Sequence, residues 1–385
     1  MQTFCATSLH LNKLSSTNVS ARMPRNRSTS LMMRQISRSR RTGLSTRVQI
    51  TDGRKRSGVG VHVRCSAADE TKTEAPAETW EAGRDSYQPD TFEAIVQDAV
   101  DCVNKGLADG IKRMEVEYPL SSDTSGYKDS SDAFIDAHIQ FAIRAARLLS
   151  NDGEKKVRIV LPDAAEMSRA MKKYEPAMSM AGKSVSMGCL TAAKKGPFSM
   201  FSKTPDAPSP EEQAQADLFI CINASTVELP NVREYCNTVV GDKPVILWCM
   251  ELDTLRADLG LVGFPGKELQ YTFLSTFRPM FYIRQRGYSK TVNVAPFVVN
   301  YSGALFRTYP SGWQVMLKQD NGQLACVAER KKRYTLNELK EELLDVVGLA
   351  TEEPGSPAEF LRKGFKAATW WEENEVDEVS DNWRY

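Results

Sequence analysis

The 385-residue chain has three histidines, and only His138 lies beyond residue 65. Metal sites built on several histidines are thereby excluded from the body of the chain. A Ser-His-Asp triad would need His138, and no Gly-x-Ser-x-Gly elbow is present to serve it. The eight cysteines contain no Cys-x-x-Cys pair, so their spacing points to neither zinc nor an iron–sulfur cluster. Beyond residue 65 they are Cys102, Cys189, Cys221, Cys236, Cys249 and Cys326, most among apolar neighbours, and they read as buried free thiols. No apolar run approaches the ~18 residues of a membrane-spanning helix. A Gly-x-Gly-x-x-Gly fingerprint is absent as well. Gly182-Lys183-Ser184 resembles the end of a P-loop, but the glycine needed five residues before Gly182 is Ala177. Without it the backbone amides cannot converge on a phosphate. No catalytic residue, metal or cofactor is expected.

Acidic residues are nearly missing from residues 1–65, which hold 13 Lys/Arg and a single acid, Asp52. The other 320 residues carry 37 Lys/Arg and 48 Asp/Glu, so a segment of about +12 precedes a body of about −11. The leader is rich in Ser, Thr and Arg and lacks the apolar h-region of a secretory signal. It reads as a plastid transit peptide, with a mitochondrial one second and a basic arm for nucleic acid as the bland alternative. The stretch 61–68, Val-His-Val-Arg-Cys-Ser-Ala-Ala, resembles a plastid processing site, with cleavage between Arg64 and Ala67. The expected organisation is a chloroplast transit peptide over 1–65 and a disordered acidic linker over 66–88. An α/β domain over 89–350 follows, then an extension over 351–385 with an acidic, Trp-containing tail.

Within the domain, apolar periodicity predicts helices over 90–108, capped by Asp90, and over 129–149. Residues 112–118 alternate Met114, Val116 and Tyr118 against charges, as a strand does. Short apolar runs at 157–161, 216–222 and 244–250 read as strands, with helices at 162–174 and 230–236. Residues 177–214 read as a short strand plus a surface loop. The aromatic segment 271–284 reads as strand, with Pro279 marking a bulge or an edge. Strands are also expected over 291–299 and 304–308. Asp320-Asn321-Gly322 marks a hairpin between 312–319 and 324–330, and Thr335 or Asn337 with Glu338 opens a helix over 336–347. A final short helix is expected within 355–371. Strands alternating with helices imply a mainly parallel, Rossmann-like three-layer sheet, extended by antiparallel edge strands.

Carboxyl ends of parallel strands line the usual ligand crevice. Asp163, Asn223, Ser225, Glu251 and Asp253 follow strands in this way. They are either helix caps, which such junctions need, or a ligand site. Arg278, Arg284, Arg286 and Lys290 surround an aromatic run, and Arg330-Lys331-Lys332-Arg333 form a second basic run. These suit either solvent or a peripheral membrane or partner surface. The acidic body argues against nucleic acid. Trp370 and Trp371, before an acidic tail, either anchor a partner or pack back onto the domain.

Residues 87–348 resemble the plastid and cyanobacterial DUF1995 domain. The resemblance is carried by Tyr87-Gln88-Pro89-Asp90, by 113–119 (Arg-Met-Glu-Val-Glu-Tyr-Pro) and by 157–163 (Val-Arg-Ile-Val-Leu-Pro-Asp). It extends to 244–247 (Pro-Val-Ile-Leu) and 309–315 (Tyr-Pro-Ser-Gly-Trp-Gln-Val). In plants this domain occurs in a low-photosystem-II-accumulation assembly factor, linked to building a core antenna subunit of photosystem II with a thylakoid insertase. It also occurs behind a plastid adenylate kinase domain, which this chain lacks. The resemblance implies a non-catalytic factor of the stroma or the stromal thylakoid face that works through protein partners. The competing expectation is an enzyme or a nucleotide or phosphometabolite binder using the strand ends. The family supplies no catalytic residues to carry over.

Overall fold

Ten strands hydrogen-bond into one sheet in the order β4-β3-β5-β6-β2-β7-β8-β9-β10-β1. The computed structural model describes residues 86–119, 132–191, 208–288, 301–348, 355–357, 369–373, 375 and 377–385. The strands are β1 (Ser86–Tyr87), β2 (Arg113–Glu117), β3 (Val157–Asp163), β4 (Val185–Thr191), β5 (Leu218–Cys221), β6 (Val245–Trp248), β7 (Arg278–Gly287), β8 (Ser302–Thr308), β9 (Trp313–Lys318) and β10 (Leu324–Arg330). From β4 across to β7 every pairing is parallel. From β7 onward every pairing is antiparallel. The expected mainly parallel α/β sheet with an antiparallel extension is therefore what forms.

Both faces are covered by helices: α1 (Phe92–Ala108), α2 (Asp132–Leu149), α3 (Ala164–Lys173), α4 (Glu175–Ala181), α5 (Pro210–Gln213), α6 (Leu229–Tyr235), α7 (Leu252–Asp258), α8 (Glu268–Thr272) and α9 (Leu336–Val346). One face, under α1, α2 and α3, holds a continuous core that includes Val96, Val100, Ile139, Ile159, Val116 and Phe281. The other face is divided. Beneath the parallel strands α6, α7 and α8 close over Phe219, Leu247, Leu255 and Phe273. Beneath the antiparallel strands α9 closes over Tyr282, Trp313, Val315 and Leu343. Covering strands on both sides explains why β3 is apolar but for Arg158 and buried from Val157 through Pro162.

Several local expectations are corrected. Thr91, not Asp90, caps α1: its hydroxyl accepts the Ala94 N–H at 3.2 Å. The segment after β3 makes two helices, α3 and α4, broken at Tyr174 before Pro176. Pro279 lies in β7, between β2 and β8, so it is not on an edge. It sits at a register shift, where Glu115 faces Pro279 and Val116 faces Phe281. The Asn321-Gly322 hairpin forms as expected between β9 and β10, with Gly322 at φ 85°. Thr335 and Glu338 form the capping box of α9. The strand expected at 291–299 and most of the helix expected within 355–371 lie outside the described residues, as do Lys290, the leader and nearly all of the linker.

The largest departure concerns β2. Alternation does put Glu115 and Glu117 opposite Met114 and Val116, but the face they occupy is not wet. Glu115 is 1% exposed and Glu117 5%. β2 lies between β6 and β7, and both glutamates enter the division between the two apolar clusters.

Candidate functional site

That division is filled by charge. Asp253, at the start of α7, is its centre. Arg333 Nη2 donates to both Asp253 oxygens, at 3.0 and 2.8 Å. Arg256 Nη1 donates to Oδ1 at 2.9 Å, and the Tyr282 hydroxyl donates to Oδ2 at 2.9 Å. Arg286 and Arg284 approach at 3.7 and 3.9 Å. The residues share this place because β7 alternates: Tyr282, Arg284 and Arg286 project to one face, toward α7 and the segment before α9. Burial raises the Asp253 pKa, but Arg333, Arg284, Arg256 and Arg286 outweigh it and hold the carboxyl far below the usual range.

The neighbouring glutamates behave oppositely. Burial pushes Glu117 well above the ordinary carboxyl value, against the pull of Arg284 and with the push of Glu251 and Glu115. Burial also raises Glu115, whose nearest cation is Arg256, 3.8 Å away. Neither Glu115 oxygen has a hydrogen-bond partner. One anionic carboxylate beside two carboxyls biased toward the protonated form is an acid–base asymmetry of the kind catalysis uses. The space around it is closed, however. The cavity lined by Asp253, Arg284, Arg286, Arg333, Trp371 and Glu372 measures about 20 Å³. That admits about one water.

The C-terminal tail helps close this seam. Trp383 is fully buried, with the guanidinium carbons of Arg384, Arg256 and Arg333 at 4.3, 4.9 and 5.2 Å from its ring centre. Its indole N–H donates to Glu378 at 3.0 Å, and Glu378 also accepts from Gln270 at 2.9 Å. The Arg384 carbonyl accepts from Arg333 N and from Trp313 Nε1, at 2.8 and 2.9 Å.

The strand-end residues separate. Asp163 caps α3, accepting the Glu166 N–H at 2.8 Å. Ser225 forms a capping box with Glu228. Asn223 Oδ1 lies 2.6 Å from His138 Nδ1. The Glu251 carboxylate accepts from Thr254 at 3.1 Å, while its N–H donates to Glu117 at 2.8 Å. Of the five, Asp253 alone enters the seam and lines its cavity. Three non-glycine residues after β5 and β6 have left-handed backbones: Asn223 (φ 59°), Cys249 (φ 48°) and Glu251 (φ 51°). Such conformations cost about 1–3 kcal/mol each; Asn151 (φ 47°) and Asp152 (φ 53°), in the turn before β3, share them at the opposite edge.

The basic residues also divide. Arg284 and Arg333 belong to the seam, and Arg286 reaches it. Arg278 Nε donates to the Tyr385 carbonyl at 3.0 Å. Arg330 pairs with Glu338 and lies 4.0 Å over the Tyr334 ring. Lys332 pairs with Glu375 at 2.7 Å, and Lys331 is exposed. Trp371 is buried, while Trp370 is half-buried, edge-on to Tyr271 with Lys267 at 4.7 Å. The seam residues that the sequence did not single out are Glu115, Glu117 and Arg256, whereas Tyr282 belongs to the aromatic run among the arginines. Their one signal was two glutamates among apolar residues in a strand of an α/β sheet, where both faces are ordinarily covered.

No curated protein and no solved structure matches the chain. A family model described as "Domain of unknown function (DUF1995)" matches residues 89–341. The span includes Asp253 and the four arginines around it, but leaves out the tail that closes the seam. About two thirds of the chain is matched, and the chain belongs to the DUF1995 family.

Proposed function

We propose that this is a chloroplast protein of the stroma or the stromal thylakoid face, and that it assists photosystem II assembly through protein contacts rather than by catalysis. The observation that carries this reading is an apolar loop between α7 and α8. Leu261 is 55% exposed, Val262 101% and Phe264 40%. The loop is nonetheless ordered by its own backbone: Gly260 N donates to Pro265 O at 2.7 Å, and Phe264 N to Leu261 O at 3.0 Å. A built loop that holds large apolar side chains in water is what a docking surface looks like. The basic, acid-poor leader supports plastid import, and family membership supports a role like that of its photosystem II assembly relative. The seam's one-water cavity offers no room for a metabolite.

The test is affinity capture of the tagged protein from plastids, divided into stromal and salt-washed thylakoid fractions, beside a Leu261→Asp/Val262→Asp variant. Recovery of photosystem II core subunits or the insertase by the parent, and its loss in the variant, is expected. Equal recovery by both, or no photosystem II protein with either, overturns the reading. Binding to protein-free vesicles lost in the same variant would identify lipid as the loop's contact instead.

A further inference from the structure

The exposed apolar loop between α7 and α8 has an acidic surround. Glu268, the first residue of α8, is exposed and folds back over the loop: a Cβ at Gly266 would lie 2.0 Å from its Oε2. Lys267 is the single cation between Arg256 and Arg278, and it lies 4.7 Å from the Trp370 ring centre. The C-terminal tail continues this surface, because it is held against α8 and the turn that follows. Trp370 is edge-on to Tyr271 at 6.0 Å, Val379 N donates to Tyr271 O at 3.0 Å, and Asn382 Nδ2 donates to the Thr276 carbonyl at 3.3 Å. Residues 369–385 carry six acids and one base, Arg384, which is buried. Glu373 and Asp381 are exposed, and so is the apolar Val379 between them. Among the described residues Glu268, Glu373 and Asp381 make no ion pair. Apolar side chains in water are thus framed by negative charge that nothing within the chain neutralises. An anionic lipid surface would be repelled by these carboxylates. A protein segment that presents Lys or Arg beside apolar side chains would match both halves of the surface.

We propose that the α7–α8 loop and the acidic surface beside it bind the Lys/Arg-rich flank of a transmembrane helix. Membrane proteins concentrate Lys and Arg in short loops on the side from which they insert, so such a flank offers cationic and apolar groups together. A membrane protein as the partner rests on the photosystem II reading, whereas a cationic segment as the element recognised rests on Glu268, Glu373 and the loop.

The experiment is fluorescence anisotropy of the full chain with two labelled peptides. One joins a Leu/Phe turn to a run of Arg, and the other replaces each Arg with Glu. Glu268→Lys and Glu373→Lys, made singly, test the acidic surface, and Leu261→Asp/Val262→Asp tests the loop. Glu175→Lys makes the same charge change at an exposed site on α4, which packs on the opposite face of the sheet from α8. The Arg peptide is expected to bind saturably and the Glu peptide not to bind. Reversal at Glu268 or at Glu373 weakens the Arg peptide about 3- to 10-fold, the loop variant weakens it at least as much, and Glu175→Lys leaves it unchanged. Binding also weakens at ~0.5 M salt. No binding of the Arg peptide, equal binding of both peptides, or an equal loss in Glu175→Lys overturns the proposal. So does binding of the full chain to phosphatidylglycerol vesicles that the loop variant loses. The same reversals taken through plastid capture separate the two readings. Peptide discrimination without photosystem II proteins in the capture sinks the photosystem reading alone, and capture of those proteins undiminished by either reversal sinks the cationic flank alone.

Discussion

Arg333 and Arg158 are both more than nine-tenths buried on the same face of one sheet, and the Nε and Nη1 of each lack a hydrogen-bond partner, yet their surroundings differ. Arg333 grips Asp253 through two contacts and lies against the rings of Tyr282, Trp313 and Trp383, at 4.8, 5.0 and 5.2 Å. Among the described residues Arg158 has neither an acid paired with it nor a ring stacked on it. A third arginine, Arg307, falls between them. Its Nε and Nη1 are unpartnered, and burial lowers its pKa to about 9, but its guanidinium carbon lies 5.2 Å from the Trp313 ring centre. The lesson is that burial alone does not say whether a charge holds a fold together. Where partners surround it, removing one strands the others. Where none does, the charge is a cost to the folded state.

The sharpest way to break this comparison is at the centre of the paired region. Asp253→Asn leaves four guanidiniums facing a neutral amide, and breaking a buried pair typically costs about 3–5 kcal/mol. A loss at the upper end is expected in urea unfolding. A loss below about 1 kcal/mol would show that the seam is not a coupled network. Next, Trp383→Ala removes the ring that three arginines share. A loss near the lower end of the usual ~3–5 kcal/mol for a buried tryptophan is expected, with the near-ultraviolet circular dichroism of the tail reduced.

The seam's acidity supplies a third test. Glu117 has a folded pKa above its unfolded value of 4.5. Its stabilising contribution is therefore complete below about pH 4.5 and is lost as pH rises toward the folded pKa. Asp253 has the reverse sign: its contribution is present above its unfolded value of 3.8 and disappears as pH falls. Glu117→Gln keeps an oxygen for the Glu251 N–H but removes the ionisable proton. It should match the parent near pH 4 and exceed it near pH 8, as read from urea midpoints across that range. Equal pH profiles would place the neutral-side loss elsewhere. Arg158→Met is expected to change stability by less than about 1 kcal/mol or to raise it, since apolar replacement of a buried charge is often neutral or stabilising. Smallest of all, Val262→Asp should shift stability by no more than about 0.5 kcal/mol. Its only large effect should be on capture of a partner.

Much of the fold is legible in the chain because its signals are local. The Asn321-Gly322 turn, the Thr335–Glu338 capping box and the mostly apolar run of β3 each follow from neighbouring residues. The strand-end residues are legible as positions but not as roles. Asp163 and Ser225 cap at their own junctions, whereas Asp253 collects arginines from residues 256, 284, 286 and 333. Nothing local marks Arg333 in a four-residue basic run as buried, or its neighbour Lys331 as exposed. Glu115 and Glu117 mislead for the same reason: a period of two assigns a face, not what covers it.

The sequence by itself determined the hairpin, the capping box of α9 and a mainly parallel sheet, because periodicity, turn chemistry and capping act within a few residues; it misplaced the cap of α1 and read 271–277 as strand, where α8 ends and a 3₁₀ turn over Leu274–Thr276 precedes β7. Only the tertiary structure decided which charges left water and what met them there. Desolvation and Coulomb attraction depend on distances between segments far apart in the chain, such as Arg256 and Glu115. The packing of α7, α9 and the tail gave Arg333 its carboxylate, whereas among the described residues none pairs with Arg158.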